Sequence, residues 1–133
     1  MTALDTNVLV RLIVEDDEAQ TAAARSSIER LLARDGGAFV PDVVLVEVAW
    51  VLRRCYRCSR EEVADALVGL LESREVRLQD PTRAHRALIA YQHGRGDFAD
   101  YLIRTVAEDA GCDAVLTFDE ALLAERGFTR PVV

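Results

Sequence analysis

The sequence of 133 residues has no lysine; all sixteen positive charges are arginine. One reading is the codon bias of a GC-rich genome, and the other is arginine chosen for bidentate phosphate contacts. Composition alone favours the first. A basic excess is also missing, because the formal net charge is −7. That excludes a domain that coats nucleic acid by charge alone. It does not exclude an enzyme acting on nucleic acid, since cations can neutralise clustered acids. Cysteine is scarce and odd in number: Cys55, Cys58 and Cys112. No disulfide framework closes on three, so a reducing, cytoplasmic setting is expected. The "CYRC" pair lacks a second pair, and Cys112 alone does not complete a tetrahedral metal site. The motif is expected where a helix ends and a turn begins. No apolar stretch approaches the roughly 20 residues that span a bilayer. No basic segment followed by an uninterrupted apolar run marks a secretory leader.

Half of the residues are apolar, and the chain is long enough for one self-sufficient core. No repeat, low-complexity tract or linker divides it, so residues 1–133 are expected to form a single domain. Short apolar strands alternate with amphipathic helices. "TALD" reads as a first strand and "TNVLVRLIVED" as a helix, with Val8, Leu9, Leu12 and Ile13 at helical spacing. "EAQTAAARSSIERLLARDGG" reads as a second helix stopped by Gly36 and Gly37. "AFV" is a second strand. Asp42 is an expected N-cap for "VVLVEVAWVLRRCY", apolar nearly all round and therefore expected to be buried. Ser59 and Glu62 form a capping box for the next helix. "EVRLQ" is a third strand, and a helix with Pro81 in its first turn follows. "DFADYLIRTVAEDAG" is another helix, "DAVLTFD" a strong fourth strand, "EALLAERG" a short helix and "RPVV" a last edge strand. Strands separated by helices imply an α/β fold with mainly parallel pairing and helices on both faces.

In such a sheet, ligands bind beyond the carboxyl ends of the strands. Asp5 and Asp119 fall there. Asp97 and Asp100 are one helical turn apart at a helix start, and Glu47 interrupts an apolar helix. Each has an ordinary explanation. Asp5, Asp97 and Asp100 could cap helices, Asp119 could end a turn, and Glu47 could face solvent or pair with Arg11 or Arg53. Jointly these explanations fare worse, because clustered carboxylates raise one another's pKa and a cation relieves them. Hard oxygen donors without histidine or cysteine favour Mg²⁺, with Mn²⁺ able to substitute. His85 and His93 lie on a different helix and read as surface or packing residues. Carboxylate-held divalent ions activate water and stabilise a leaving oxygen, which suits phosphodiester hydrolysis.

The segments "LDTNVLVRL", "EVAWVL" and "DFADYLIRTVAEDAGCDAVLTFD" together resemble the PIN-domain family, and within it the VapC-type ribonuclease toxins of toxin–antitoxin pairs. The resemblance covers nearly the whole chain, with the motifs in order. It implies a three-layer α/β/α PIN-like domain with a mainly parallel central sheet, usually dimeric. It further implies a Mg²⁺-dependent endoribonuclease that a cognate antitoxin inhibits. Residue by residue, it assigns the acids of the family pattern to Asp5, Glu47, Asp100 and Asp119. Asp97 is an adjunct. Thr6 and Asn7 flank the first acid, and Thr117 is the hydroxyl residue two before the last. Attack by water would leave a 5′-phosphate end. Arg53, Arg54 and Arg57, with Tyr56 among them, are candidates for holding RNA by phosphate contact and stacking. Trp50, Val10 and Leu9 are candidates for an apolar groove that takes the antitoxin.

Three other readings compete. A PIN nuclease of RNA processing or decay would share the site. A phospho-acceptor receiver domain expects a late-strand lysine, which is absent. A non-catalytic regulatory module would use the acids structurally.

Overall fold

The N-terminal apolar segment turns into a helix at Asp5, whose extended backbone and side-chain acceptor fit it to cap α1 (Thr6–Val14). The computed structural model describes residues 1–133. They form two compact units, Met1–Pro81 and Thr82–Val133.

In the first unit, α1 ends at Glu15, which takes a left-handed conformation (φ 59°). Asp17 then caps α2 (Glu18–Asp35), and Gly36 closes it, also left-handed (φ 78°), as a glycine there can without strain. Strand β1 (Ala38–Val40) pairs in parallel with β2 (Val76–Leu78), Phe39 opposite Arg77. The expected first strand is reduced to a single parallel bridge, Ala3 to Phe39, held by bonds from Leu4 N to Phe39 O and from Phe39 N to Thr2 O (both 2.8 Å). Asp5 caps the next helix so soon that the ladder has no room to extend.

Helix α3 (Asp42–Arg54) corrects two expectations. Its N-cap is Pro41, and Asp42 is already the first helical residue. Nor is it buried all round. Val44, Leu45, Val48, Ala49 and Leu52 face the core, while Val43, Glu47 and Trp50 form an exposed stripe at positions i, i+4 and i+7. Helices α1 and α4 pack on one side of it and leave that stripe to solvent. Ser59 and Glu62 form the expected capping box for α4 (Arg60–Glu72). "CYRC" does end α3, with Cys55 as its C-cap.

The second unit holds α5 (Pro81–His93) from Thr82 onward, α6 (Phe98–Asp109), β3 (Val115–Leu116), α7 (Glu120–Leu123) and β4 (Phe128–Thr129). Strands β3 and β4 are parallel, Val115 opposite Phe128. The expected strong fourth strand therefore shrinks to two residues, since Asp119 caps α7 at once. The last strand comes earlier than expected, at Phe128–Thr129 rather than in "RPVV". The aromatic part of this core is Tyr91 edge-on to Phe98 (centroids 6.2 Å apart) and Tyr101 to Phe128 (6.5 Å). No helix is long and apolar enough to cross a membrane.

Candidate active site

The first unit supplies Asp5, Thr6, Asn7 and Glu47. Asp5 is exposed, and its Oδ1 accepts from the Val8 amide at 3.3 Å, so capping is one of its roles. Thr6 is buried, and its hydroxyl donates to Oε2 of Glu47 at 2.9 Å. Asn7, one residue on, is exposed. The cost of a carboxylate in an apolar helix is avoided because Glu47 lies on the exposed stripe of α3. The arginines considered as its partners bond elsewhere. Arg11 reaches Gln20, Asp16 and Tyr56, and Arg53 donates to the Cys58 carbonyl at 3.0 Å.

The second unit brings together Asp97, Asp100 and Asp119. Asp97 is the N-cap of α6, and Asp100 stands in its first turn. Asp100 Oδ2 accepts from the Asp97 amide at 2.8 Å. Its pKa is raised, first by burial, against the lowering effect of that amide, and further by the negative charges of Asp97, Asp119 and Glu125. Asp119 caps α7, Oδ1 accepting from the Ala121 amide at 2.9 Å. The Thr117 hydroxyl accepts from the Asp119 backbone N–H at 3.0 Å, so this contact fixes the chain at Asp119.

Glu125 had no signal in the sequence, where it reads as one more acid after a short helix. It takes the Tyr101 hydroxyl on both carboxylate oxygens, each at 2.8 Å. Among the RNA-binding candidates, Arg53, Arg54 and Arg57 are exposed at the end of α3. Tyr56 donates to Asp16 at 2.8 Å and accepts from Arg11 at 3.2 Å. The bond to Asp16 is the chief reason its pKa is raised. Leu9 and Val10 are core residues at 1% and 2% exposure, whereas Trp50 is 56% exposed, so only Trp50 offers the surface expected of all three.

No three acidic, histidine or cysteine side chains are drawn into a ready-made coordination cage. The chemistry of the donors nonetheless suits a hard divalent cation. Around Asp100 they are all carboxylates, and their mutual repulsion already penalises its ionised form. His93 is turned to its own helix, Nδ1 lying 2.9 Å from the Ile89 carbonyl.

The model of the PIN-domain family matches residues 2–127 of the chain. Among curated proteins, the VapC ribonuclease of Aquifex aeolicus (strain VF5) is 25% identical over 118 residues, which is 89% of this chain and 87% of that protein.

Proposed function

The chain belongs to the PIN-domain family, mostly helical with parallel strands in keeping with the three-layer α/β/α PIN fold, and from that we propose that it is a Mg²⁺-dependent endoribonuclease, the toxin of a toxin–antitoxin pair. The observation that carries the reading is the Asp97–Asp100 pair at the start of α6, with Asp100 Oδ2 taking the Asp97 amide at 2.8 Å and Asp97 and Asp119 adding negative charge around a half-buried Asp100, in a chain of this family. Anions held together against their own repulsion are poised for a cation.

Asp5, Asp100 and Asp119 would hold Mg²⁺, or Mn²⁺ in its place, with Asp97 as an adjunct. The ion supplies Lewis acidity at the phosphodiester and a more acidic water. Glu47, oriented by Thr6, accepts a proton from the attacking water or completes the ligand set. Capping of α1 and α7 fixes the carboxylates of Asp5 and Asp119, Thr117 holds the Asp119 backbone, and the exposed Asn7 would hydrogen-bond a carboxylate or the phosphate. Water displaces the 3′ oxygen, which takes up a proton from solvent and leaves as a 3′-hydroxyl, and the other product ends in a 5′-phosphate. Arg53, Arg54 and Arg57 contact RNA phosphates, and the ring of Tyr56, anchored by its hydroxyl, offers a face for a base.

The reading takes residues 1–133 as a single PIN domain that acts as a homodimer. Its three free thiols suit a cytoplasmic protein. The exposed Trp50 and Val43, on the same stripe as Glu47, suit a cognate antitoxin that covers apolar surface and a catalytic acid together. The test is cleavage mapping on total RNA with purified protein and Mg²⁺, beside Asp5→Ala. Discrete cuts with 5′-phosphate ends, absent from the variant, support the reading. Cyclic-phosphate ends would mean attack by the substrate's own 2′-OH and would overturn it.

A further inference from the structure

Three consecutive backbone amides between α5 and α6 are each held by a side chain. Arg95 N donates to Glu125 Oε2 at 3.3 Å, Gly96 N to the Tyr101 hydroxyl at 2.8 Å, and Asp97 N to Asp100 Oδ2 at 2.8 Å. Tyr101 is fully buried, and its hydroxyl in turn donates to Glu125 at 2.8 Å. The loop fits these groups closely. A Cβ at Gly94 would collide with the Tyr101 hydroxyl and lie 2.6 Å from Glu125 Oε1. A Cβ at Gly96 would lie 3.0 Å from Asp100 Oδ2. Glycine is needed at both places for close approach. One hydroxyl and one carboxylate, neither among the site residues that the resemblance assigns, thus set the path of the chain into Asp97.

We propose that Tyr101 and Glu125 are positioning residues for the Asp97–Asp100 pair: by fixing the Gly94–Gly96 loop they orient Asp100 toward a divalent cation. Asp100 has one oxygen committed to the Asp97 amide, so the direction of its other oxygen depends on where that amide sits. The amide follows Gly96, which Tyr101 holds. Loss of a partner that orients a ligand typically weakens metal affinity by about 10–100-fold. The proposal rests on the metal site of the nuclease reading, and its test does not need cleavage.

Mn²⁺ binding to the full chain is measured by titration calorimetry and electron paramagnetic resonance, alongside hydrogen exchange of amides 95–97. Tyr101→Phe keeps the ring and removes the hydroxyl. It is expected to weaken Mn²⁺ about tenfold and to speed exchange at these amides. Glu125→Ala is expected to do the same, and Glu125→Gln, which keeps an acceptor oxygen, to stay within about threefold of the wild type. If RNA cleavage is present, the Mg²⁺ requirement rises in Tyr101→Phe while the rate at saturating Mg²⁺ recovers. A protein that binds Mn²⁺ but cleaves no RNA would sink the nuclease reading and leave this one standing. Unchanged Mn²⁺ affinity in Tyr101→Phe, or a wild type that binds no Mn²⁺, would overturn the positioning role. A Glu125→Gln loss as large as that of Glu125→Ala, with Tyr101→Phe neutral, would make Glu125 a direct ligand and overturn it equally.

Discussion

The Thr6 hydroxyl donates to Glu47 Oε2 at 2.9 Å, joining the first residue of α1 to the middle of α3 across 41 positions of sequence. Thr6 is buried and Glu47 exposed, so the bond orients a solvent-facing carboxylate from beneath. Thr6→Val keeps the shape and removes the donor. Such a bond contributes about 1 kcal/mol, so urea unfolding should show a loss near that size. The rate of RNA cleavage should fall about tenfold, because Glu47 is no longer held. Thr6→Ser should restore both. A Thr6→Val protein that cleaves at the wild-type rate would remove Glu47 from the chemistry.

Asp100 gives a prediction for pH and metal. Its folded pKa is raised above its unfolded value by burial and by neighbouring acids. The sign follows from linkage. The stability that the protonated carboxyl contributes is full below the unfolded pKa and is lost as pH rises through the folded one. At neutral pH without metal, ionised Asp100 therefore opposes folding. Asp100→Asn keeps an oxygen for the Asp97 amide and removes the charge. In chelator at pH 7 it should melt at a higher temperature than the wild type, and the gap should close below about pH 4. Added Mg²⁺ should stabilise the wild type and not the variant. Cleavage should drop by about 100-fold or more. Equal melting temperatures at pH 7 in chelator would contradict the crowding.

Asp5, Asp97, Asp100 and Asp119 stand out in the sequence because they fall at element boundaries, where a cap or a ligand explains a charge, and Glu47 because it interrupts an apolar helix. The Ser59–Glu62 capping box was legible because it is purely local. Strand lengths were not. Apolar "DAVLTFD" yields only Val115–Leu116, because Asp119 turns the chain into α7 and pairing with Phe128–Thr129 is a tertiary matter. Periodicity overstated the burial of α3 for the same kind of reason. Which apolar residues are covered depends on neighbours, and Trp50 has none over most of its surface. Glu125 and Tyr101 escaped notice because their roles arise only when the loop folds back on them.

The exposure of Trp50 leads to a prediction about partners. Trp50 is 56% exposed on α3, with Val43 at 60% on the same stripe. Trp50→Ser should therefore change folding stability by less than about 0.5 kcal/mol. If a cognate antitoxin seats there, its affinity should fall about 30-fold, the effect of losing an aromatic anchor of about 2 kcal/mol. Calorimetric titration with the product of a short reading frame beside the gene is the measurement. Unchanged affinity would place the antitoxin on another surface.

Arg104 tests what holds the second unit together. It is 6% exposed, and its guanidinium lies 5.2 Å from the Tyr101 ring centroid and 5.5 Å from that of Phe128. Nη1 donates to the Arg126 carbonyl at 2.9 Å, while Nε stands 3.6 Å from Glu108, beyond hydrogen-bond reach. A planar cation can lie against two rings and still reach a carbonyl, whereas a lysine ammonium is compact and more strongly hydrated. Arg104→Lys should therefore lose the stacking and the bond together, at about 2 kcal/mol in denaturant unfolding. The effect on chemistry should be indirect. Tyr101 carries both the ring under Arg104 and the hydroxyl on Gly96, so a displaced ring loosens the loop ahead of Asp97. The variant should show a raised Mg²⁺ requirement with RNA affinity unchanged. An Arg104→Lys protein of wild-type stability would mean that the guanidinium merely fills space between Tyr101 and Phe128.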